Sequence, residues 1–155
     1  MVAPFLLVAV ALQVPYVHQH RDTCAAASLA MVMAYLKQDV TQEEIARALV
    51  QPELRGIPGS RLAAFASSRG LEAITYSGDM AQLREFVGKG RPLIVAWHLG
   101  GQRYHDVVVV GFDDERDTVL VNDPAAGAGR SVSAATFEKR WAGADHWTLL
   151  VGRKP

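Results

Sequence analysis

Between Cys24 and Lys37 the chain runs for fourteen residues without a glycine or proline, and nearly every side chain is Ala, Leu, Met, Val or Tyr. A segment that is apolar all round has no face to offer to water, so it reads as a central helix buried on most sides. A fold that contains one must supply layers to cover it. Asp22 or Thr23 stands where an N-cap belongs, which puts Cys24 in the first turn.

The flanking segments supply those layers. Thr41-Gln42-Glu43-Glu44 is a capping box that opens a second helix running through Val50, with Ile45, Ala48 and Leu49 at helical spacing. A third helix is expected from about Ser60 to Arg69, stopped by Gly70, and a fourth from about Asp79 to Val87, presenting Met80, Leu83, Phe86 and Val87. Pro92 to Trp97 and Val107 to Phe112 are continuous β-branched runs, as in strands buried on both faces. Thr118 to Asn122 is a third strand, set off by the turn residues 113–117 and ended by Pro124. Ser133 to Trp141 reads as a short helix and Trp147 to Val151 as a closing strand. The organisation thus changes once, near Arg91, from helices to strands, which predicts an α+β fold with an antiparallel sheet. The 155 residues contain no repeat or linker, so residues 13–155 are expected to form a single domain.

Composition removes several function classes. Sixteen Lys plus Arg balance sixteen Asp plus Glu, with no basic run, so nucleic-acid binding has no electrostatic footprint. Cys24 is the single cysteine, which excludes an internal disulfide and a cysteine-rich zinc site. His18 and His20, taken with His98 or Cys24, match no usual ligand spacing and read as surface or cleft residues; no metal or other cofactor is expected. Trp97, Trp141 and Trp147 read as core, with Trp141 the candidate to line a cleft. Residues 1–12 fit two readings. Pro4 to Leu12 is apolar with a small-x-small Ala9-Val10-Ala11, as in the stub of an export signal, which implies a secreted or periplasmic protein. The alternative is a first buried strand in a cytoplasmic one. Either way the stretch is far below the roughly 20 residues that span a membrane.

A lone cysteine is by base rate a buried small hydrophobe, so its surroundings decide. At the start of a buried helix the unsatisfied N–H groups and the macrodipole favour an anion, which suits a nucleophilic thiolate. Asp22 works against this unless capping engages it. His105 stands at the mouth of a buried strand, after the Gly100-Gly101 turn, where a base can be displayed. If the next strand pairs with it antiparallel, Asp123 comes to lie beside His105 and can fix its tautomer, with Asn122 the nearest substitute. Gln19 offers a side-chain N–H to join the Cys24 backbone N–H in an oxyanion hole.

The blocks that carry these residues are recognisable. Val14-Pro15-Tyr16-Val17-His18-Gln19 followed by Cys24-Ala25-Ala26-Ala27-Ser28-Leu29-Ala30-Met31-Val32 resembles the N-terminal half of the double-glycine leader peptidases. These are papain-like enzymes best known as bacteriocin-processing domains. Gly90 to Val95, His105 to Phe112, Val121-Asn122-Asp123-Pro124 and Phe137 to Trp141 continue the match in order, so the resemblance covers about Gln13 to Val151. It implies a papain-like fold, a peptide or protein substrate, Cys24 as nucleophile, His105 as base, Asp123 as orienter and Gln19 as oxyanion donor. Two departures stand out. Ala25-Ala26 replaces the Gly-Pro that follows the cysteine in many members, and the Gln-to-Cys spacing is one residue shorter than in papain-like enzymes generally, leaving Gln19 and His20 as rival donors. The expected activity is peptide hydrolysis through an acyl-enzyme. The rivals are an acyl transferase with the same three residues and an inactive peptide-binding module of the same fold.

Overall fold

A computed structural model describes residues 10–49 and 57–155. The buried helix is α1, Cys24–Tyr35. Ala26 to Met33 are at most 2% exposed on every side of it, which bears out the expectation from its composition. It ends sooner than Lys37 because Leu36 caps it and Lys37 turns to φ +65°. Helix α2, Gln42–Leu49, opens on the expected capping box: Glu44 N–H donates to Thr41 Oγ1 and Thr41 N–H to Glu44 Oε2. Val50, its expected end, lies outside the described residues, as do residues 1–9. Helix α3 spans Gly59–Ser68, and Gly70 takes φ +82° after its cap.

The expected single change from helices to strands is corrected here. A strand, β2 (Leu71–Ser77), follows α3 directly, before helix α4 (Met80–Gly88). The remaining elements are β3 (Leu93–His98), β4 (Tyr104–Asp113), β5 (Thr118–Asp123), β6 (Gly127–Ser133), helix α5 (Ala134–Ala142) and β7 (Trp147–Arg153). β1, Val10–Ala11, pairs with Phe112 and Gly111 of β4, so these two residues of the N-terminal stretch do lie in a strand. All pairings are antiparallel, in the order β2-β7-β3-β4-β5-β6, with β1 alongside β4.

The sheet has a core on each face. Ile94, Val108, Val110, Leu149 and Val151 meet Leu29, Met31 and Met33 of α1 and Leu62 of α3. Leu93, Val95, Val107, Val109 and Leu150 point the other way, onto Leu83 of α4 and Phe137 and Trp141 of α5. Strict alternation along β3 and β4 therefore feeds two cores, which is why both read as unbroken apolar runs. Among the described residues no helix is long and apolar enough to cross a membrane.

A strap joins the two layers at one end. Leu12 N–H donates to Val110 O, Asn122 Nδ2 to Val14 O, Tyr16 OH to Asp123 O, and Gln19 N–H to Pro124 O. Residues 12–19 thus run across the end of β5 before the chain enters α1.

Candidate active site

The strap delivers the chain to a tight loop, 18–23, ahead of α1. One side chain holds that loop. Gln42 of α2, 5% exposed, accepts from His20 N–H and Thr23 Oγ1 and donates to His18 O. Thr23 occupies the N-cap position, but its hydroxyl donates to His20 O and Gln42 Oε1, so no side chain caps α1. No acidic residue stands in the first turn. Asp22, the other capping candidate, is instead at φ +58° with an 85%-exposed side chain near Arg21. Its carboxylate is turned into water, where its pull against a thiolate is weak. The half-buried Cys24 therefore sits at an open helix N-terminus.

β4 and β5 supply the other half. Val108 pairs with Asn122, so Asp123 and His105 project from the same face at the sheet end. His105 Nε2–H donates to Asp123 Oδ1 over 2.6 Å, both side chains being at most 15% exposed. Cys24 lies close enough to the same ring to help raise its pKa. With Nε2 engaged, Nδ1 is the nitrogen left to face the thiol. Asp123 Oδ1 also accepts from Ala125 N–H. Burial lowers the imidazole pKa, but the hydrogen bond to Asp123 and the proximity of Cys24 prevail and raise it to about 9. Burial raises the Asp123 carboxyl, and its bonds to His105 and Ala125 hold it below its ordinary value.

The structure thus brings Cys24, His105 and Asp123 together, and it separates the rivals from them. Asn122 is committed elsewhere, donating to Val14 O and accepting from Gly129 N–H. His20 turns outward onto Glu43. Gln19 is half-buried, and its Oε1 is buried with no hydrogen-bond partner among the described residues. His98 Nε2–H donates to Gly101 O, and among the described residues no three His, Cys, Asp or Glu side chains form a metal-binding group. Trp141 is fully buried; it is Trp147 that lines a cavity.

One acidic residue was not singled out from sequence. Asp106, next to His105, lies on the opposite face of β4, where its carbonyl accepts from Ser28 Oγ of α1 at 3.3 Å. Burial, offset in part by His105, raises its carboxyl to about 7. A lone carboxylate beside the histidine, at the polar end of an otherwise apolar run, was the available signal.

A helix-borne cysteine facing a strand-borne histidine and aspartate, on an antiparallel sheet, is the arrangement of the papain-like class. The profile of the Peptidase_C39 like family matches residues 11–146, and the chain belongs to that family. Solved structures agree. A double glycine motif protease from an AMS/PCAT transporter, in complex with the leader peptide, superposes with TM-score 0.74 and 28% identity, covering 93% of this chain and 94% of that one. A Bacillus anthracis protein described as C39-like gives TM-score 0.76 at 18% identity, over 95% and 98% of the two chains. The peptidase domain of Streptococcus ComA, a bi-functional ABC transporter, gives 0.74 at 19%, over 90% and 97%. No curated protein matches the sequence.

Proposed function

We propose that the chain is a cysteine peptidase acting on a peptide or protein, with processing of a leader peptide as the leading substrate class. The observation that carries this reading is the His105 ring, which donates to Asp123 and whose pKa is raised by Asp123 and by the neighbouring Cys24. With its pKa raised to about 9, the imidazole is poised to exchange a proton with the Cys24 sulfur and the leaving group. Cys24 Sγ attacks the peptide carbonyl, and the tetrahedral oxyanion accepts from Cys24 N–H and Gln19 Nε2. His105 protonates the leaving amine, and the acyl-enzyme remains on Sγ. His105, now neutral, takes a proton from water, whose oxygen displaces the thiolate and releases the acid. Asp123 fixes the ring's tautomer throughout. The relative at 28% identity, solved with a leader peptide, supports the substrate class.

The test is twofold. Cys24→Ala is expected to abolish cleavage of a leader-peptide set while its circular dichroism matches the parent; normal turnover would sink the mechanism. Alkylation of Cys24 by iodoacetamide at pH 7 is expected to slow by about tenfold or more in His105→Ala. A thiol indifferent to His105 would point to a binding module of the same fold. Product analysis with an added amine separates hydrolysis from transfer.

A further inference from the structure

A cavity of about 290 Å³ opens where the helical layer meets the sheet, bounded by Ile57 and Gly59 at the start of α3, Ala96 of β3, Tyr104 and Asp106 of β4, and Asp145 and Trp147. It lies at the end of the sheet that carries His105, because Tyr104 and Asp106 are its immediate neighbours. The Asp106 carbonyl touches Ser28, one turn along α1 from Cys24, which ties the cavity wall to both halves of the site.

The lining has a definite chemistry. Ile57, Ala96 and Trp147 give it apolar walls, and Tyr104, 59% exposed, stands at its rim. Among the described residues Asp106 and Asp145 are its only charged ones, and neither carboxylate is paired there with a cation. Apolar walls, an aromatic rim and a carboxylate floor suit a long aliphatic stem ending in a cation. The volume is near the lower limit for whole small-molecule ligands, roughly 300 Å³, and ample for one long side chain. A glycine-glycine site has no side chain to put there.

We propose that this cavity is a specificity pocket of the peptidase, taking a lysine or arginine side chain of the substrate with the Asp106 carboxylate as its anchor. The proposal rests on the peptidase reading and deepens it. A bidentate arginine satisfies Asp106, and the exposed Asp145 adds a second negative charge at the mouth. Because an empty pocket leaves Asp106 near pH 7, a bound cation drives its proton off and proton and substrate compete. The other titratable groups about it are His105, Tyr104 and Asp145, and the elements packed on it otherwise contribute the neutral Ser28, Ala96 and Trp147.

The experiment uses fluorescein-labelled heptapeptides of fixed neutral sequence, scanned at each position with Arg, Lys, norleucine, Glu or Gly. Cleavage by the parent and fluorescence-anisotropy binding to Cys24→Ala are both read. At one position Arg and Lys are expected to exceed norleucine in kcat/KM by about tenfold or more. That ratio rises from pH 6 to pH 8, falls to near one in Asp106→Asn and is kept in Asp106→Glu. Using a ratio within each variant cancels any effect on folding or on the chemistry at His105. A parent ratio near one at every position, or a preference that survives Asp106→Asn, overturns the pocket while cleavage itself upholds the peptidase. Binding of Arg peptides that depends on Asp106, with no cleavage of any peptide, overturns the peptidase and upholds the pocket. Neither binding nor cleavage overturns both.

Discussion

At the scale of single residues, the His105–Asp123 pair links the site to stability. The imidazole is raised from 6.5 to about 9, so its stabilising contribution is full below pH 6.5 and lost as pH rises through 9. The Asp123 carboxyl is held below 3.8, so its contribution is present above that value and lost as pH falls through its lowered one. The pair therefore stabilises most between about pH 4 and 6.5. In that window the parent is expected to exceed Asp123→Asn by about 2 kcal/mol in urea unfolding, the gap closing toward pH 10. A gap independent of pH would mean that Asp123 acts through packing or its bond to Ala125 alone. The meeting of Cys24, His105 and Asp123 in the candidate site could be expected from sequence because each stands at the boundary of a strongly patterned element, where register dictates which side chain reaches the sheet end. The place of Asp106 could not, because its neighbours Ile57 and Trp147 come from distant segments that no local pattern relates.

At the scale of elements, the strands that sequence patterning missed are β2 and β6, the two edges of the sheet. An edge strand needs hydrogen bonds on one side only and little burial. In β6 every residue but Gly127 and Val132 is exposed, and β2 alternates only loosely. β3, β4 and β5, by contrast, are squeezed between or beside paired strands, and their β-branched runs announced them. Edge position, more than length, decided what could be read. Helix α3 carries its own constraint. A Cβ on Gly59 would stand 2.3 Å from the Trp147 ring, so the helix start and the cavity wall close on each other through a missing side chain. Gly59→Ala is expected to lower stability by about 1–3 kcal/mol in urea unfolding, with a change in Trp fluorescence as the Trp147 ring is displaced. An unchanged spectrum would show that the ring does not seal this wall.

At the scale of the whole molecule, the strap of residues 12–19 decides how the helical and sheet halves meet. Asn122 is its central fastening, 4% exposed and bonded both to Val14 O and to Gly129 N–H. Asn122→Ala leaves both groups short of a partner and is expected to cost about 2–3 kcal/mol in urea unfolding. Loss of activity with intact stability would place Asn122 in the chemistry instead. The joining of the halves also has a consequence in time. Cys24 is made early and its partners late, because the imidazole and carboxylate that meet it sit on the β4–β5 hairpin. At about 5–20 residues per second of synthesis, the stretch from Cys24 to Asp123 takes on the order of 5–20 s. For that interval the nascent thiol has neither neighbour, so the candidate site assembles only after most of the chain has been made.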